Sequence, residues 1–83
     1  MTIEEQVREQ IAWLRNRAEN MLAASTFQRS CAVCFTTQSS LSETLRESYC
    51  EEARLLLSIS HRMEDSAQVL EDALADHKKG AQR

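Results

Sequence analysis

"FQRSCAVCFTTQSS", Phe27–Ser40, holds two of the three cysteines in this 83-residue chain and its best candidate for a turn. How it is read decides whether the chain is a rod or a hairpin, and whether it carries chemistry. Its second half, "TTQSS" (Thr36–Ser40), joins Thr, Gln and Ser without an apolar residue. Thr and Ser are weak helix formers whose hydroxyls bond nearby backbone, and a run of that length suits a helix–helix connection. Its first half repeats apolar residues at Phe27, Cys31, Cys34 and Phe35, the spacing of one helical face.

Upstream, Thr2 and Glu5 form a capping box, and apolar residues follow at Ile3, Val7, Ile11, Leu14, Ala18, Met21 and Leu22. This predicts a helix over about residues 3–24. At about 100° per residue, the Phe27–Phe35 stripe falls on roughly the opposite side from the Val7–Leu14–Met21 stripe. A break near residues 25–30 resolves the conflict, with Ser25 and Gln28 as a second capping box and a short helical segment over 26–35. The competing reading is an unbroken helix with two apolar faces.

Downstream of the 36–40 loop, Ser40 and Glu43 make a third capping box. Leu41, Leu45, Tyr49, Leu56, Ile59, Met63, Ala67, Leu70 and Leu74 then predict one long helix over about 41–78. Lys78 and Lys79 suit the negative pole of its end, with Gly80 available to leave the helix and a frayed tail over 79–83. Such a helix would be roughly 55–60 Å long, and the first arm would cover about 50 Å of it. The expected fold is an all-α antiparallel helical hairpin in a single domain, with an unequal three-helix bundle as the alternative.

Composition agrees. There is no proline and one glycine, while Ala, Leu, Glu, Gln and Arg, all helix formers, are abundant. Ten Lys/Arg among thirteen Asp/Glu leave a net charge of −3 and no basic stripe, so nucleic acid is not an expected partner. No 18-residue apolar run is present, so no membrane span is expected. The beginning "MTIEEQVREQ" has no basic region followed by an apolar run, so no secretory signal is expected. An odd number of cysteines fits reduced thiols in a cytoplasm better than a disulfide framework.

Cys31, Cys34, Cys50 and His61 match zinc by ligand type. If Cys50 and His61 share a helix, however, they lie about 16 Å apart along its axis, beyond the reach of one ion. Cys31 and Cys34 remain as metal candidates, with further ligands from His77 or a second chain. They are also candidates for a thiol redox module, although no strand and no helix N-terminus is expected beside them. The plainer reading of both is as small apolar side chains between Phe27 and Phe35. No base lies close in sequence to either thiol, and His61 with Glu64 gives the reverse of the Glu-x-x-His order of di-metal bundles, once only. No catalytic residue, metal or cofactor is therefore expected.

A two-helix hairpin rarely encloses its own apolar surface. Leu57 and Val69 fall well off the main stripe of the last helix, and Trp13 lies beside the first stripe, as core edge or as interface anchor. Glu52 occupies a stripe position, where it pairs with Arg8, Arg15 or Arg54, or marks a wet rim. These features point to a non-enzymatic interaction module of the adaptor, co-chaperone, antitoxin or inhibitor type. It would bind itself or another protein by helix-face packing, with Trp13, Phe27, Phe35, Leu57 and Val69 as candidate interface residues. A thiol or metal module at Cys31 and Cys34 is the alternative.

Overall fold

The computed structural model describes residues 1–81. Among them are two helices, α1 (Ile3–Ala32) and α2 (Ser40–Ala81), joined by residues 33–39. They pack antiparallel in a rod of 67 × 18 × 12 Å. The expected helical hairpin is the observed fold, and the three-helix alternative is not.

At the start of α1, Thr2 Oγ1 accepts the Glu5 amide at 3.2 Å, as the capping box requires. The break expected near residues 25–30 does not occur. Each hydroxyl that suggested a cap is satisfied within an intact helix. Ser25 donates across the hairpin to the Ala53 carbonyl at 2.7 Å, and Thr26 and Ser30 donate one turn back, to Leu22 and Thr26, at 3.1 Å each. The phase conflict also dissolves. Phe27 is 66% exposed, and the face packed on α2 continues in register through Ser25, Gln28 and Ala32. The expected segments 3–24 and 26–35 are thus one helix, which ends at Ala32.

The connection begins earlier than the expected 36–40 loop. The Cys34 and Phe35 amides bond to the carbonyls of Cys31 and Ala32, three residues back, and tighten the last turn. Arg46 then reaches across to hydrogen-bond the Phe35 carbonyl. The cap of α2 is Ser39, not Ser40: Ser39 Oγ accepts the Ser42 amide at 3.1 Å, and the Glu43 amide bonds the Ser39 carbonyl.

At its far end α2 runs past residue 78 to Ala81, with Gly80 inside it and no positive φ among the described residues. Glycine costs a helix only about 1 kcal/mol relative to alanine, and Lys78 and Lys79 favour continuation at the negative pole. Of the expected tail 79–83, residues 82–83 lie outside the described residues.

The buried residues explain the close pairing. On α1 they are Ile11, Ala18, Ser25 and Ala32; on α2, Ala53, Ser60 and Ala67. Each set repeats every seven residues, the period that holds one seam against an antiparallel neighbour. Two reciprocal hydrogen bonds fix the register, Ser25 to the Ala53 carbonyl and Ser60 to the Ala18 carbonyl, both 2.7 Å. A serine hydroxyl is short, so it reaches a facing carbonyl only where the two backbones lie close. Small side chains permit that approach. Leu41 and Ile59, expected on the core stripe of α2, are exposed instead, and Ser60 holds the seam beside Ile59.

Candidate interaction face

Two flanks lie either side of the small-residue seam. On one, Arg15 makes a bidentate pair with Glu71 at 2.9 and 2.7 Å and approaches Glu64 at 3.9 Å. The hydrogen bond from Arg15 holds the Glu71 carboxyl below its ordinary range, against a smaller opposing effect of desolvation, and it raises the guanidinium in turn. Arg54 and Glu51 pair farther along this side, at 3.4 Å, and Cys50 lies beside Arg29 and Arg54. This flank is mainly ionic, with Leu22, Val33 and Leu57 as its apolar members.

The other flank is apolar. Phe35 and Tyr49 stack at its loop end, with ring centroids 5.6 Å apart. Leu14, Met21, Leu56 and Met63 are half-buried along it. At the open end a groove of about 220 Å³ is lined by Ile3, Val7, Leu70, Ala73 and Leu74, with Glu4 and His77 also in its wall. Beyond these, at the outer edges, stand Trp13 and Phe27 on α1, and Leu41, Leu55 and Val69 on α2. These five recur at intervals of fourteen residues, two heptads, which places each set at one position of its helix. Full burial of side chains of this kind contributes about 1.5–3 kcal/mol each. The hairpin itself does not bury them.

Of the residues singled out from the sequence, Trp13, Phe27 and Val69 are exposed along the outer edges of this flank, with Phe35 half-buried at its end. Leu57 is not among them. It is half-buried on the ionic side, at the level of Leu22 on α1. Leu41, Leu55 and Ile59 belong to the apolar face, and reasoning from stripes missed their exposure. The readable signal was the small residues, since Ala or Ser every seven positions marks where large neighbours are turned away from the seam.

Arg17 rests 5.7 Å over the Trp13 ring, a cation–π contact on this flank. Glu52 is exposed on the same flank; Arg8 and Arg15 pair elsewhere, and Arg54 meets Glu51, so none of the three expected partners reaches it. Gln28 Oε1 is buried and has no donor among the described residues.

The cysteines are free thiols. Cys31 is half-buried on the edge of the apolar face, exposed Cys34 donates through Sγ to the Ser30 carbonyl at 3.3 Å, and Cys50 lies on the ionic side. Among the described residues no three His, Cys, Asp or Glu side chains converge as a metal site. His61 is an exposed residue, and His77 lies 3.7 Å from Glu4 across the open end. No described helix is long and apolar enough to cross a membrane.

Comparison with protein-family models, with curated proteins and with solved structures gives no match for the chain.

Proposed function

We propose that the chain is a non-enzymatic protein-interaction module that works by packing its apolar helical face on another helical surface. One observation carries this reading. The apolar flank runs the length of the hairpin and stays open, while the buried positions, Ile11 apart, hold only small side chains. A chain of this size has a marginal core unless a partner adds area. Adaptors, co-chaperones, antitoxins and small inhibitors share this mode of action, in which an amphipathic helical surface supplies the contacts.

The free thiols suit a reducing, cytoplasmic setting for such a module. Cys31 belongs to the apolar edge, which supports its role as a small apolar contact and gives the thiol and metal alternative no separate support.

The test is native mass spectrometry of the chain isolated from its own cells under reducing conditions. A mass above the 9.5 kDa of one chain, made up by a second polypeptide, is expected. A lone chain that also unfolds cooperatively would overturn the reading, because a self-sufficient monomer needs no cover for this face.

A further inference from the structure

We infer that the occupant of the apolar face is a second copy of this chain, laid face to face so that two hairpins form a four-helix bundle. This rests on the interaction reading above and names its partner.

Three observations select the copy. The first is area. A compact monomer of 9.5 kDa exposes about 5,000 Å². The hairpin exposes 6325 Å², an excess of about 1,300 Å², whereas a stable dimer needs about 800 Å² from each partner. One self-pairing event is enough to bring the exposed surface into the ordinary range.

The second is charge. Within this flank lie one charge of each sign, Arg17 and Glu52, with Glu4, Arg62, Asp65 and Asp76 at its margins. Most of the chain's Lys, Arg, Asp and Glu therefore lie on the rest of the molecule. Two copies meet through faces whose centres carry no excess of either sign. A strongly basic or acidic partner would find little there to pair with.

The third is length. Apolar residues occupy the flank from Ile3 and Ala73 at one end to Phe35 and Leu41 at the other. An occupant that covers it must be a helical surface as long as this rod, which a second copy is. In the paired state Leu14, Met21, Leu56 and Met63 fill the centre of the bundle. Ala24, Cys31, Ser66 and Ala73, small residues beside them, allow the facing helices to approach. A two-fold axis makes the contact self-complementary and closed, so assembly stops at two.

The experiment is sedimentation equilibrium with circular dichroism on the reduced chain, over about 1–100 μM, the range in which weak and moderate dimers dissociate. The same measurements are made on Leu55→Glu, 58% exposed on the apolar flank, and Leu22→Glu, 48% exposed on the other side. Twice the chain mass is expected at high concentration, with helicity and mass falling together on dilution. Leu55→Glu should raise the dissociation constant about tenfold or more, as the loss of an apolar interface anchor does. Leu22→Glu should change it by less than about twofold.

A monomeric mass throughout overturns the second copy. If that monomer is weakly helical and melts without cooperativity, the occupant is another protein and the interaction reading stands. If it is helical and melts cooperatively, both fall. A dimer broken by Leu22→Glu and not by Leu55→Glu overturns the inference too, because the copies then meet through the ionic side.

Discussion

The two flanks of the hairpin are built on the same seam and have opposite chemistry. On the ionic flank, charged ends pair with one another or reach water, so exposure costs them little. On the apolar flank, Leu55, Val69 and Phe27 stand mostly open to solvent, and Trp13 is covered only in part, by Arg17. The comparison separates two jobs. Backbone pairing is done by small residues between the flanks, and that leaves large apolar residues free for a second layer of packing. A hairpin with leucines in the seam would spend them on its own two helices. Here Ala18, Ser25, Ala53, Ser60 and Ala67 do that work.

The most direct way to break the comparison is to enlarge the seam. Ala53 is 0% exposed against α1 and takes the hydrogen bond from Ser25 on its carbonyl. Ala53→Leu should cost about 1–3 kcal/mol or more by overpacking and should also pull Ser25 from its acceptor. Ala12→Leu, exposed on the ionic flank, should stay within about 0.5 kcal/mol. Urea unfolding at one fixed chain concentration gives both numbers, since association would otherwise shift the midpoint. An Ala53→Leu midpoint equal to that of Ala12→Leu would mean that the helices are not held close.

A smaller effect sharpens the same point. Ser25→Ala removes the hydroxyl but orphans nothing, because the Ala53 carbonyl lies mid-helix and keeps its intrahelical bond. The expected loss is about 1 kcal/mol, the usual net value of one hydrogen bond. Ser60→Ala should match it, because its bond to the Ala18 carbonyl is the mirror arrangement. The two sites are about 10 Å apart along the rod, so the double variant should equal the two single losses together within about 0.5 kcal/mol. Larger coupling would show that the two bonds set the helix separation jointly.

Much of this fold was legible from residues. Absent proline, Thr and Ser near residue 36, the Thr2 cap and long apolar periodicity led to a helical hairpin. What was not legible has one physical origin. A pattern that counts only large apolar residues assigns Leu41 and Ile59 to the core and sees a conflict of phase at Phe27. In the structure the core is set by Ala and Ser, residues whose hydropathy is weak and whose value is their size. Serine was misread for the same reason. At Ser25 the hydroxyl could cap a new helix or bond across a close seam, and local sequence cannot distinguish the two. Only the matching Ala53 on the other arm, twenty-eight residues away, makes the second choice available. At Ser39 and Ser40 two adjacent caps compete, and the backbone of the turn decides in favour of the first.

The weakest expected effect lies on the ionic flank and is read through pH. Glu71 has its folded pKa lowered by the hydrogen bond from Arg15, so the folded state holds the carboxylate more tightly than the unfolded chain does. The stability this adds is present above the unfolded value of about 4.3 and is lost as pH falls through the lower folded value. Arg15 stays charged throughout and contributes no titration of its own. Wild type should therefore lose more stability between pH 5 and pH 3 than Glu71→Gln, the control that cannot titrate at this position, and the difference should shrink in high salt. Both side chains remain well exposed, 38% for Arg15 and 44% for Glu71, so the difference should fall below that of Ser25→Ala. An acid-induced loss of the same size in wild type and Glu71→Gln would mean that the pair is ornamental. The ionic flank would then owe its exposure to solvation alone, and the seam of small residues would account for nearly all the cohesion between the two helices.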